Sequence, residues 1–248
     1  PVAALRHHAT ILADVVERAE RIQSARPVAP TAETPVAIPT APLRREKLRV
    51  RIERKWATAE GIAAFDLVDA EGANLPTFLP GDHIDLHLPN GLTRQYSITN
   101  GPGETAYYRI GVKRDPDSTG GSAYLHDRAK PGDVLEISAP RNRFTLRRNV
   151  PSTILIAGGI GITPILAMAQ ALDRAGLKVA VHSFVSSEGE VAFRGVLDRL
   201  GPLVHRYVGL DPDATAGAIE QLLATPDPSI QVAACLLYTS DAADDTRS

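Results

Sequence analysis

What most constrains the fold of this chain is a change of rhythm near residue 150. Before it lie six short strand-like runs: Lys47 to Trp56, Ala63 to Val68, His83 to Leu88, Arg94 to Thr99, Tyr107 to Lys113 and Val134 to Ile137. Turn residues such as Pro80-Gly81-Asp82, Pro89-Asn90-Gly91 and Pro131-Gly132-Asp133 punctuate them, and only Ser122 to Ala129 reads as helical. Short, evenly spaced strands of this kind predict a small antiparallel six-stranded barrel. From Thr153 the pattern becomes strand (Ile154 to Ala157), helix (Pro164 to Ala175), strand (Lys178 to Val185), helix (Val191 to Leu200) and strand (Leu203 to Val208). Thr215 to Leu223 extends the pattern as a helix and Ile230 to Cys235 as a fourth strand. That alternation predicts an α/β lobe, a parallel sheet with helices on both faces.

Upstream, Leu5, Leu12, Val15, Val16, Ala19 and Ile22 recur at helical spacing, which predicts an amphipathic helix. A Pro- and Ala-rich stretch without periodicity, Pro27 to Pro42, follows as a semi-rigid linker. The expected organisation is helix and linker over 1–45, barrel over 46–148, α/β lobe over 149–235 and an atypical tail over 236–248. Pro1 in place of Met raises the expectation of a processed product or a fragment.

Composition narrows the function classes. The 248 residues are 44% hydrophobic and 23% charged, as in a globular protein with room for two cores. A net charge of −2 with interspersed signs offers no footprint for nucleic acid or an anionic membrane. The single cysteine, Cys235, excludes an internal disulfide and a Cys-ligated iron-sulfur or zinc site within this sequence. The absence of a signal-peptide pattern and of a roughly 20-residue apolar run makes a cytoplasmic location the expectation. The seven histidines are dispersed, so a metal site is not expected.

Three short motifs carry candidate chemistry. In Arg94-Gln95-Tyr96-Ser97 the guanidinium can fork onto a phosphate, the phenol ring can cover an aromatic ring and the hydroxyl can bond a ring edge. Taken alone, the tetrapeptide reads first as an exposed Arg, a half-buried Tyr and a turn Ser. Gly120-Gly121-Ser122 frees the backbone to bend around an anion at a helix start, or forms an ordinary loop with a Ser cap. Gly158, Gly159 and Gly161 follow an apolar strand and precede the helix that Thr163 and Pro164 start. This is the setting of a dinucleotide-binding turn, but not its G-x-G-x-x-G spacing, and a tight structural turn reads the same way.

The order of these motifs resembles the ferredoxin-reductase-like flavoproteins, in their phthalate dioxygenase reductase and vanillate demethylase reductase branch. The resemblance runs from about Lys47 to Leu210, through Arg94 to Ser97, Ile110-Gly111-Val112-Lys113-Arg114, Gly120 to Asp127, Pro131-Gly132-Asp133, Ala139 to Phe144 and Gly158 to Pro164. It implies a flavin on the barrel and NADH or NADPH on the α/β lobe. Arg94, Gln95, Tyr96 and Ser97 would hold the flavin, with Ser97 nearest its N5 as the catalytic residue. Val112 and Lys113 would touch it through backbone, while Gly120, Gly121 and Ser122 would cradle its phosphate. Gly158, Gly159, Gly161, Ile162, Thr163 and Pro164 would face the nicotinamide nucleotide. The Gly-Gly-Ser form implies FMN, with FAD as the alternative, and the lack of Arg at Ser186-Ser187 favours NADH.

The implied activity is transfer of electrons from NAD(P)H through flavin to a [2Fe-2S] centre on a missing domain or on a ferredoxin-type partner, and thence to a terminal oxygenase, Rieske-type in this branch. An FAD-containing ferredoxin or flavodoxin reductase and a truncated, non-catalytic flavin-binding module are the alternatives. Cys235 stands where the family carries Cys-Gly-Pro, but Leu236 and Leu237 follow it, a departure from the pattern.

Overall fold

The computed structural model describes residues 47–116, 118, 120–147, 150–224 and 230–237. The N-terminal helix and linker, and the tail from residue 238, lie outside the described residues. The first sheet contains β1 (Lys47–Ala59), β2 (Ile62–Asp69), β3 (Asp82–His87), β4 (Thr93–Ser97), β5 (Tyr108–Lys113) and β6 (Val134–Ser138), with the two-residue β7 (Arg141–Asn142) on β3. A short helix, α1 (Gly121–Asp127), connects β5 to β6. The strand order is β4-β3-β6-β1-β2-β5, and every pairing is antiparallel. A single bridge, Ile98 with Ile110, brings the two end strands together and curls the sheet into the expected barrel.

Its inside is a continuous apolar core. Phe65, Ile84, Leu86, Ile98, Tyr108, Ile110 and Ile137 are all fully buried there, each on the inward parity of its strand. Beside this core Asp66 takes a two-pronged contact from Arg109, at 2.7 and 2.9 Å, and the guanidinium lies between the Trp56 and Tyr107 rings.

The second sheet is parallel: β8 (Ser152–Gly159), β9 (Lys178–Val185), β10 (Val204–Val208) and β11 (Ile230–Leu237), in the order β10-β9-β8-β11. Helices α2 (Ile162–Arg174) and α3 (Arg194–Leu200) pack on one face through Ile165, Leu166, Ala169 and Leu197. On the other face α4 (Pro212–Leu223) places Ile219 against Ile156 and Phe184. Because the chain leaves β8 toward β9 on one side and later returns as β11 on the other, the crevice between the β8 and β11 ends is a topological switch point, where open α/β sheets bind ligands.

Two elements differ from the sequence expectation. The helix expected from Val191 begins only at Arg194, because Phe193 adopts a left-handed conformation, φ 55°, and breaks it. Tertiary contacts impose this: the Phe193 N–H donates to the Thr58 hydroxyl at 2.8 Å and its ring is buried. The strand expected to end at Cys235 continues to Leu237, paired with Gly158 and Gly159 of β8, so the first two residues of the atypical tail extend the sheet.

On the α4 face, His182 is buried, stacks on His205 with ring centroids 4.8 Å apart and bonds Tyr207 through Nδ1 at 3.1 Å. Burial, and secondarily the neighbouring His205, lower the His182 imidazole to about 4. A histidine with a depressed native value opposes folding once the unfolded chain binds the proton more readily. Stability should therefore fall as pH drops from about 6.5 toward about 4, the ordinary and native values. Urea midpoints across that window check this, and His182→Phe should flatten the slope.

Candidate active site

The barrel leaves one seam open. Among the described residues, the β4 and β5 edges are paired only just beyond β4, at the Ile98–Ile110 bridge, supported by the Thr99 N–H to Arg109 C=O bond at 2.8 Å. Continuing that antiparallel register sets Ser97 opposite Gly111 and Tyr96 opposite Val112, across strands that are not paired there. Two unpaired strand edges offer backbone donors and acceptors to a flat polar ring, which is what a heteroaromatic ligand requires.

Arg94, Tyr96, Ile84 and Leu86 share one face, because Arg94 pairs with Leu86 and Tyr96 with Ile84. Arg94 is buried, and its side chain reaches α1 so closely that a Cβ on Gly121 would lie 2.7 Å from Nε. Its Nη1 donates to the Thr93 carbonyl at 2.9 Å. Gly120 takes φ 118°, a left-handed conformation that a side chain would strain, as the N-cap of α1. Ser122 Oγ accepts from the Asp115 N–H at 3.2 Å, leaving its own proton to donate. The structure thus brings Arg94, Gly120, Gly121 and Ser122 into one small cradle.

Tyr96 is half-buried against the barrel core, and burial raises its phenol well above the ordinary range, so the hydroxyl stays protonated. Gln95 lies on the opposite face, where it donates to Asp85 at 3.1 Å. The Val112 side chain is in the core and its carbonyl meets His126 Nε2 at 2.9 Å. Lys113 lies 4.0 Å from Glu190 of the second lobe.

Beside the open seam lies the start of α2. Gly159 takes φ 54° in the turn after β8, and α2 begins at Ile162 without a side-chain cap on its first N–H groups. The Thr163 N–H donates to the Ile160 carbonyl at 3.1 Å and the Gly161 N–H to that of Gly158 at 3.0 Å; the other N–H groups at a helix start suit a pyrophosphate. Gly161 is glycine for an internal reason, since a Cβ there would collide with the Cys235 carbonyl of β11. The Ile162 side chain is in the core and Pro164 is buried, so they can meet a ligand only through backbone. Thr163 is buried too. Its hydroxyl donates to the Ile160 carbonyl at 3.0 Å, and its methyl faces Gly111, where an added Cβ would sit 2.9 Å from it. The Cys235 thiol, raised to about 12 by burial, stays protonated.

Ser97, Gly111 and Thr163 therefore converge where the lobes meet. Further contacts fix the junction: Gln170 donates to the Thr99 carbonyl at 2.9 Å, Arg174 to that of Pro102 at 2.7 Å, and the Glu60 N–H to that of Gly189 at 2.8 Å. The sequence reading missed Phe193, Thr58 and Gly111 as interlobe residues. The Gly111 role was hidden because a strand glycine carries no mark of what approaches it, and nothing local marks the Phe193 conformation. His83, read only as an unpromising metal ligand, also borders this junction.

No family model matches the chain. It is 48% identical over 136 residues to a vanillate O-demethylase oxidoreductase of Acinetobacter baylyi, covering 55% of this chain and 43% of the relative. It is 42% identical over 184 residues to a vanillate O-demethylase oxidoreductase of Pseudomonas putida, covering 71% and 56%. Among solved structures, phthalate dioxygenase reductase, described as a modular structure for electron transfer from pyridine nucleotides to [2Fe-2S], superposes with a TM-score of 0.61 and 31% identity, covering 76% of this chain and 68% of that one. The chain spans about half the length of these two curated relatives.

Proposed function

We infer, from the premise that this chain belongs to the phthalate dioxygenase reductase branch of the ferredoxin-reductase-like flavoproteins, that it is an FMN-dependent NAD(P)H oxidoreductase. It passes electrons to an iron-sulfur centre, on a partner or a further domain, that serves an oxygenase. The observation that carries the reading is the convergence of the open β4–β5 seam with the switch-point turn of the second sheet, Gly111 lying directly against Thr163. A planar ring held at the seam and a nucleotide held at the turn would meet there.

The residues present fit these groups. The Arg94 fork and the Gly120–Ser122 turn would hold a flavin phosphate, Tyr96 would cover the ring, and the Ser97 hydroxyl would bond its N5 edge. FMN is favoured over FAD because Tyr124, the aromatic residue of α1, packs on the barrel core and presents no platform for an adenine. The Gly158–Gly161 turn and the first N–H groups of α2 would hold the nicotinamide nucleotide. NADH is favoured because Ser186 and Ser187 follow β9, while Arg194, a cation near them in sequence, donates to the Glu188 carboxylate at 2.8 Å. A bound flavin supplies the chemistry of accepting a hydride from NAD(P)H and releasing its electrons one at a time. The protein fixes the stacking geometry and keeps water from the junction.

Purified protein reconstituted with FMN should bleach on anaerobic addition of NADH and recover with ferricyanide. Protein that takes up neither FMN nor FAD would overturn the reading. Cofactor mass after extraction decides between the two flavins, and comparing NADH with NADPH decides the donor.

A further inference from the structure

Strand pairing continues the Ser97–Gly111 row outward. Trp56 pairs with Ala64, Ala64 with Gly111, and on the far side of Ser97 stands its cross-strand partner His83. Directly paired residues share a face, and the Ile98–Ile110 register sets Ser97 opposite Gly111 across the unpaired seam, so Trp56, Ala64, Gly111, Ser97 and His83 form one row across the outside of the barrel. The row faces the second lobe: Ala64 belongs to that lobe's core cluster, and Thr163 and Phe193 close over Gly111. At its His83 end the segment Gly81–His83 lies against the same lobe, since a Cβ on Gly81 would sit 2.8 Å from Met168 of α2.

His83 is 7% exposed, and its Nε2 is buried without a hydrogen-bond partner among the described residues. An orphaned ring nitrogen at this depth is costly unless something outside the chain completes it. Its cross-strand partner on the row is Ser97, whose hydroxyl is assigned above to flavin N5 and does not bond the ring in this structure, so a relay between them forms only with the flavin in place. The outer face beyond it is polar: Gln95 bonds Asp85, Arg141 pairs with Asp85, and Ser138 Oγ accepts from the Asp85 N–H at 3.0 Å.

We propose that His83 is the proton acceptor of the flavin site, taking the N5 proton by way of Ser97 and passing it to the polar outer face. The inference rests on the flavin reading above. A reduced flavin held there would give up its N5 proton on oxidation by two equivalents of a one-electron acceptor, an iron-sulfur centre or ferricyanide. Ser97 Oγ accepts that proton while its own proton moves to His83 Nε2, and the resulting imidazolium releases one proton to solvent. Ser97 ends as it began, so protons and electrons balance. His83 suits the task because burial and then the Arg141 guanidinium, with Arg143 behind it, lower the imidazole below its ordinary value, outweighing the opposing Asp85 and Asp82. The ring is therefore neutral at physiological pH, with one nitrogen able to accept a proton.

The test begins without turnover. In the full chain, ring-nitrogen NMR should show the His83 Nε2 resonance moving when FMN is added, and Ser97→Ala should abolish the movement. In stopped flow, NADH-reduced, FMN-loaded protein oxidised by ferricyanide should show a solvent isotope effect and a rate that declines in acid as His83 becomes protonated. His83→Gln should slow this step by about 10²-fold, remove the acid limb and recover in part with added imidazole. A resonance indifferent to FMN, or a His83→Gln profile that overlays the wild type, overturns the proposal while leaving the flavin reading intact. Wild-type protein that binds no flavin overturns both.

Discussion

Gly161→Ala should lower the melting temperature by about 10 °C and sharply weaken nucleotide binding, although alanine is the better helix former and the Gly161 φ of −59° suits it. The cost is steric. A Cβ at this position would overlap the Cys235 carbonyl oxygen, lie 2.7 Å from its carbonyl carbon and 3.0 Å from the Gly158 oxygen. All three atoms are backbone, so no rotamer change relieves the clash. Relief requires either moving β11 away from β8, where Cys235 pairs with Ala157, or opening the turn that starts α2. Forced shifts of packed backbone cost about 3 kcal/mol, and about 3 °C is lost per kcal/mol in a chain of this size. Both movements deform the switch-point crevice, so affinity for NADH should fall with stability. Gly195→Ala and Gly217→Ala are the matched controls. Each lies in a helix with nothing near its added methyl, and each should leave the melting temperature unchanged or slightly raised. Calorimetry of the three variants decides it, and a Gly161→Ala protein melting within a degree or two of wild type would contradict the packing described.

The same glycine shows how far the sequence carries. The turn after β8 was legible because an apolar run, a glycine cluster and a Thr-Pro helix start occur together, each with a local physical reason. Why Gly161 must be glycine was not legible, since the atom that excludes a side chain belongs to Cys235, far along the chain. Arg94 and Gly121 were legible as separate motifs, but not as one contact. Phe193 was misread as part of a helix because its neighbours have helical character, whereas a hydroxyl in β1 holds its backbone in the left-handed region. His83 carried no usable signal. A histidine in an alternating strand looks like any half-exposed residue until pairing sets it beside Ser97 and closure against the second lobe buries its ring nitrogen. What sequence misses here is the junction between lobes, where every contact is long-range.

Arg94→Ala should weaken FMN binding about 10²-fold while changing riboflavin binding little. Arg94 reaches toward Gly121, placing a buried guanidinium beside the Gly120-Gly121 turn. A hydrogen bond to a charged group contributes roughly 1.5–3 kcal/mol, which is about 10- to 150-fold in affinity. Loss at the upper part of that range follows if the fork contacts two phosphate oxygens at once. Arg94→Lys keeps the charge but not the fork, so it should recover about a tenth of the lost affinity ratio at best. Removing a buried side chain also leaves a void under α1, and that alone would weaken any ligand. Riboflavin separates the two effects, because it presents the same ring without the phosphate. If the guanidinium acts on the phosphate, the preference for FMN over riboflavin, measured by quenching of flavin fluorescence, collapses in Arg94→Ala. Gln95→Ala, on the outer face and bonded to Asp85, should preserve that preference. Equal losses for FMN and riboflavin would mean that Arg94 supports the shape of the seam and that the phosphate is held elsewhere.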